Sequence, residues 1–118
     1  MRKILGIFFL LTISASVVLA QEVIKAKDAY KYIGKKVTVI GKINSIAGPG
    51  ITSNMSFYLV TDTVKIGIGV TVPIKVWSKS KVLNEEQKGK TMKVTGLVKL
   101  NGEPYTNVEK LSDVQIIE

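Results

Sequence analysis

The residues able to do chemistry are few. Histidine and cysteine are absent from the chain, which removes the side chain that titrates nearest neutral pH, thiol nucleophiles and most transition-metal ligand sets. Ser78-Lys79-Ser80-Lys81 places serine near lysine, as a Ser-Lys hydrolase would. A lysine serves as base only when burial depresses its pKa, and nothing in this run supplies that burial. The acids Asp62, Glu85, Glu86, Glu103, Glu109 and Asp113 are scattered, and Glu85-Glu86 most simply stabilises a helix start. The expectation is a protein without catalytic residues, metal or cofactor.

The cations form a different pattern. Of 118 residues 17 are Lys or Arg and 9 are Asp or Glu, a net charge of +8. Removing Arg2 and Lys3 leaves 15 bases against 9 acids, net +6, and every remaining base is lysine. Lysine is a diffuse, strongly hydrated point charge, whereas recognition with fixed geometry recruits the arginine fork. Such a balance suits loose attraction to a polyanion or an anionic membrane surface. It equally suits solubility and protection of sheet edges.

Removing those first residues is itself an expectation from sequence. Met1-Arg2-Lys3, an apolar run from Ile4 to Leu11 and a small-residue stretch ending Val18-Leu19-Ala20 have the charge, hydrophobic core and cleavage site of a secretory signal peptide. The pattern predicts residues 1–20 as a signal peptide cut after Ala20, and residues 21–118 as one exported domain, periplasmic or secreted. Its only contact with a membrane would then be through the leader before cleavage. That domain has no cysteine, so apolar burial and sheet hydrogen bonding must hold it together.

The elements that would position any site follow from periodicity. Asp28 to Gly34 reads as a brief helix, with Asp28 as N-cap, Ala29, Tyr32 and Ile33 as its buried stripe and Gly34 as its stop. From Lys35 to Ile46 the pattern has period two, Val37, Val39, Gly41 and Ile43 facing one way and Lys36, Thr38, Ile40 and Lys42 the other, which predicts a half-buried strand. Gly41 within it suggests a bulge or a strong bend. A Gly-Pro-Gly loop around residues 47–54 leads to a second strand at Met55 to Thr61. A third is predicted from Val64 to Trp77, with Pro73 confined to an edge or a bulge. Asn84-Glu85-Glu86-Gln87 has the spacing of a capping box, and Gly89 closes that turn. The fourth strand alternates Met92, Val94, Gly96 and Val98 with Thr91, Lys93, Thr95, Leu97 and Lys99. Asn101-Gly102 predicts a type I′ hairpin turn, and Tyr105 to Val108 with Val114 to Ile117 form the returning strand, interrupted around Lys110 to Asp113.

Five bent strands with a helical turn between the third and fourth resemble an oligonucleotide/oligosaccharide-binding (OB) fold. The phrases YIGKKVTVIGKI, FYLVTD, IKVW and GKTMKVTGLVKLNGEPYTNVEKLSDVQI stand in the order found in small bacterial OB-fold domains of the tRNA-anticodon-domain-like type. The repeated Gly-Lys-x-(Val/Met)-x-Val-x-Gly, at Gly34 to Gly41 and again at Gly89 to Gly96, is its most specific part. The resemblance covers nearly all of Lys25 to Glu118. It implies an all-β, five-stranded Greek-key barrel with a short N-terminal helix. Micrococcal-type nucleases also use this barrel, but their catalytic arginines have no counterpart here.

The resemblance also implies where a ligand would lie: across strands two and three, between the loop joining strands one and two and the loop joining four and five. On this chain that implicates the Gly48 to Asn54 loop, Phe57 or Tyr58, Lys65, Lys75, Trp77 and the hairpin from Lys99 to Tyr105, with single-stranded nucleic acid or another polyanion as partner, aromatics (Tyr58, Trp77 or Tyr105) for stacking and lysines for attraction. A small ligand, a glycan or a protein partner in the same groove is the alternative. Phe57 and Tyr58 are neighbours on a strand and point to opposite faces, so one fills the core and the other faces out; sequence leaves open which. Trp77 could stack on a base or seal the barrel against the Asn84 turn. Tyr105 could reach the groove or cover Leu97. Lys36, Lys42, Lys93 and Lys99 should form an outward stripe.

Overall fold

The structure, a computed structural model, describes residues 22–49, 53–62, 64–81 and 83–117. The expected leader and the middle of the Gly-Pro-Gly loop lie outside these residues.

The described chain is mostly β. Its strands are β1 (Val23–Lys25), β2 (Lys36–Ala47), β3 (Met55–Thr61), β4 (Val64–Val72), β5 (Thr91–Leu97), β6 (Lys99–Asn101), β7 (Glu103–Asn107) and β8 (Val114–Ile117). They are hydrogen-bonded in the order β6-β7-β4-β3-β2-β5-β8, with β1 parallel on β2. The long β2 pairs with β5 along its first half and with β3 along its second. β7 joins β4 in parallel and β6 through the Gly102 turn. Where five strands were expected, the described residues form eight: Val98 separates β6 from β5, a 3₁₀ turn at Leu111–Asp113 falls in the expected interruption of the returning strand and separates β7 from β8, and the short β1 adds a parallel partner to β2.

Alternation decides the core. Val37, Val39 and Ile43 of β2, Phe57 and Leu59 of β3, Ile68, Val70 and Val72 of β4, and Met92 and Val94 of β5 form one buried cluster. Phe57 is fully buried, worth about 1.5–3 kcal/mol for such a side chain, and that settles the Phe57–Tyr58 choice: Tyr58 faces outward.

Several local expectations need correction. The third strand stops at Val72, and Ile74–Trp77 is a helical turn. Pro73 cannot donate to a sheet ladder, and its carbonyl instead accepts from Val76 N and Trp77 N. The N-terminal helix is a 3₁₀ helix over Ala26–Tyr32 that buries Ala26 and Ala29, while Ile33 is exposed; Asp28 is not its cap but pairs with Lys31 at 3.7 Å. Gly41 is needed for close approach: a Cβ there would lie 2.8 Å from Ala26 Cβ and 3.0 Å from Leu59 Cβ. The irregularity in β2 falls between Ile43 and Ser45 instead. The capping box does not form: the Asn84 side chain caps the turn through Glu86 N at 2.8 Å, one residue before the Gln87 N–H that the box uses, and Gln87 Oε1 is buried with no hydrogen-bond partner among the described residues. In the Asn101-Gly102 turn only Gly102 has positive φ, so the type I′ geometry, which needs it at both central residues, is not adopted. Ile66 continues the apolar alternation of β4 yet is exposed.

Candidate functional site

Strand pairing sets a row of residues side by side. Ser45 pairs with Tyr58, Tyr58 with Gly69, Gly69 with Tyr105, and Tyr105 with Lys99, crossing β2, β3, β4, β7 and β6. Partners across adjacent strands share a face, and since Phe57 occupies the core this row lies on the outside. The next outward row is Ala47, Ser56, Thr71 and Asn107. Small and polar side chains therefore surround two tyrosines, and Gly69 leaves a gap between them.

That gap is an open depression of about 460 Å³ lined by Tyr58, Gly69, Thr71, Asn101, Glu103, Pro104 and Tyr105. Both tyrosines are half-buried. The Tyr58 hydroxyl accepts from Gly67 N at 2.9 Å and donates to Glu103 Oε1 at 3.3 Å. These two bonds hold its ring against the sheet, so a planar ligand would meet a surface already in place. Gly67 has no room for a side chain, because a Cβ there would run into the Leu59 carbonyl. Chemically the depression offers aromatic faces, a hydroxyl (Thr71), an amide (Asn101) and a carboxylate (Glu103).

The other expected residues are distributed differently. Lys99 stands opposite Tyr105 in register, but it also lines a second depression of about 410 Å³ with Lys36, Leu97, Glu109, Lys110 and Asp113. Trp77 belongs to a third cavity, of about 460 Å³, with Gly48, Pro49, Met55 and Leu83 and with Asn84 to Glu86. It is half-buried, packs on the core, and its Nε1 donates to Ser53 O at 3.1 Å. Lys75 is exposed on the helical turn, and Lys65 lies in β4 with its side chain outside the described residues. The expected outward lysines are exposed at Lys36, Lys42 and Lys99 and half-buried at Lys93. The structure thus brings together Tyr58, Tyr105 and, beside them, Lys99, and leaves Trp77 and Lys75 apart.

Gly69 and Thr71 are not site candidates from sequence, and Asn101 and Glu103 are covered there only as part of the Lys99 to Tyr105 hairpin. Register could have found Gly69, since a strand glycine opposite an outward tyrosine opens a gap. Glu103 looked like one more scattered acid until the hairpin folded it toward Tyr58.

No family model and no curated protein matches this chain. A solved structure described as an aspartyl-tRNA synthetase from Leishmania major Friedlin is similar to it, with a TM-score of 0.54 at 8% identity, over 83% of this chain and 21% of that one. The shared fold is OB-like. At that identity the likeness concerns the fold alone, and the chain spans about a fifth of the length of the protein it matches. An OB-like sheet accounts for the long bent β2 shared by two neighbours and for the parallel β4–β7 pair. What the face binds must be argued from its own side chains.

Proposed function

We propose that this protein is an exported, non-enzymatic OB-fold module that binds single-stranded nucleic acid, or another extended polyanion, across the outer face of β3, β4 and β7. The observation that carries the reading is the cross-strand row Tyr58–Gly69–Tyr105–Lys99: two outward tyrosines, the first held by hydrogen bonds, separated by a side-chain-free gap, with a cation next in line. Base–aromatic stacking tolerates any sequence because every base has a π-face, and the lysine-rich surface supplies attraction at longer range. We take the sheet to close into the five-stranded barrel: β5 runs into β6 across Val98 alone, β7 bonds to both β6 and β4, and Gly96 packs against Thr106. Export rests on the leader-like residues 1–20.

One observation favours a second reading. Glu103 stands at the depression, and the lysines Lys42 and Lys88 at one cavity and Lys36, Lys99 and Lys110 at another are spread around the domain. A neutral ligand with hydroxyl groups, such as a glycan, would suit the tyrosines and the carboxylate equally.

Residues 21–118 titrated with a labelled oligonucleotide of about ten nucleotides separate the two. Binding should weaken steeply between about 50 and 200 mM salt. Absence of salt-dependent binding rejects the nucleic-acid reading, and binding of an oligosaccharide without salt dependence would establish the second.

A further inference from the structure

Glu103 is an unusual neighbour for a polyanion. Its Oε1 accepts a 3.3 Å bond from the Tyr58 hydroxyl, and among the described side chains no lysine lies within ion-pair distance of it. The residue is exposed, at the lip of the depression between Tyr58 and Tyr105, opposite Asn101 in the hairpin. An ionised carboxylate is acceptor-only, with two oxygens and about four lone-pair sites. The long bond from Tyr58 takes up one of those sites, on a residue that is exposed and lines the depression.

We propose that Glu103 is the specificity-determining residue of this groove and that it selects guanine. The inference rests on the nucleic-acid reading above. A base stacked on Tyr58 or Tyr105 presents its edge to the lip, where single-stranded bases are read on their Watson–Crick edges. Guanine offers two adjacent donors there, N1–H and the 2-amino group, which match the two oxygens of a carboxylate as a bidentate pair. Cytosine and adenine each offer one amino group. Thymine flanks its single N3–H with two carbonyl oxygens, which the carboxylate repels. A carboxylate in a stacking groove therefore weakens general attraction for phosphate while ranking the bases by donor count.

The test uses residues 21–118 and three labelled oligonucleotides of about ten residues: all thymidine, thymidine with one central guanine, and thymidine with one central inosine, which lacks the 2-amino group. The guanine oligonucleotide should bind about tenfold more tightly than the thymidine one, the scale of a good bidentate contact, with inosine in between. Glu103→Gln keeps an acceptor for the Tyr58 hydroxyl and should bring the three affinities together; an unchanged thermal melt checks that the variant is folded. Equal affinities in the unaltered protein overturn the inference and leave the groove standing. So does a Glu103→Gln protein that binds all three more tightly by one common factor, since Glu103 would then be a repulsive charge only. No binding of any oligonucleotide overturns both the groove reading and this inference.

Discussion

Tyr58 and Tyr105 stand on β3 and β7 with Gly69 of β4 between them, and the Cα of Gly69 is the register partner of both. Two residues 47 positions apart in sequence are thus set on one face by an antiparallel and a parallel pairing that share a single glycine.

Filling the gap should separate binding from stability. A Cβ built on Gly69 meets nothing nearer than Tyr105 Cβ at 3.8 Å and Pro104 O at 3.9 Å, ordinary contact distances. Gly69→Ala should therefore leave stability unchanged or raise it by about 0.4–1 kcal/mol, through reduced freedom of the unfolded chain. Gly69→Val, with more bulk in the depression, should weaken oligonucleotide binding. Denaturant melts and anisotropy titrations on the two variants check both halves; a destabilised Gly69→Ala would mean that the strand needs glycine for its backbone.

Gly96 and Thr106 should behave as a coupled pair. A Cβ on Gly96 would collide with Thr106 Oγ1, which is buried and has no hydrogen-bond partner among the described residues. Gly96→Ala alone should cost about 1–3 kcal/mol by overpacking. Thr106→Ala removes the clashing hydroxyl, so the double variant should recover part of that loss, with a coupling energy of at least about 0.5 kcal/mol. Purely additive losses in urea denaturation would show that β5 and β7 are not in contact here.

Much of this frame is legible in the sequence, because Val37, Val39 and Ile43, or Met92 and Val94, mark the inner face by simple alternation. What is not legible arises where one residue overrides a pattern or where chain-distant residues meet. Ile74 and Val76 continue the apolar period of β4, yet Pro73 has no N–H to give the ladder and the chain turns into a helix. Phe57 and Tyr58 are equivalent candidates for the core until the register of β3 is fixed. Trp77 beside lysines looks like a stacking residue, but its indole N–H is committed to Ser53 and its ring packs on the core. Glu103 has meaning only through Tyr58, 45 positions away, a relation that no local spacing encodes.

Tyr32 supplies a pH-dependent contribution. Its hydroxyl donates to Glu22 Oε2 at 2.8 Å. That hydrogen bond, together with some desolvation and the Glu22 and Asp28 charges, raises its pKa above the ordinary 10.0. The native state favours the protonated phenol. Its contribution is therefore fully present below the ordinary tyrosine pKa and is lost as pH rises through the higher native value. Lysines titrate in the same range, so the informative quantity is the stability difference between the unaltered protein and Tyr32→Phe. That difference should be constant from neutral pH to about pH 9 and shrink above about pH 10. A flat difference across the alkaline range would show that the Tyr32–Glu22 bond does not persist in solution.

The location of the ligand is the claim on which the rest depends, and amide chemical-shift mapping of residues 21–118 with a single-stranded oligonucleotide measures it directly. The account predicts that the largest shifts gather at Tyr58, Gly69, Thr71, Glu103 and Tyr105, on the outer face of β3, β4 and β7. Shifts concentrated instead around Lys42 and Lys88, or along Lys36, Lys93 and Lys110, with that face unmoved, would contradict it.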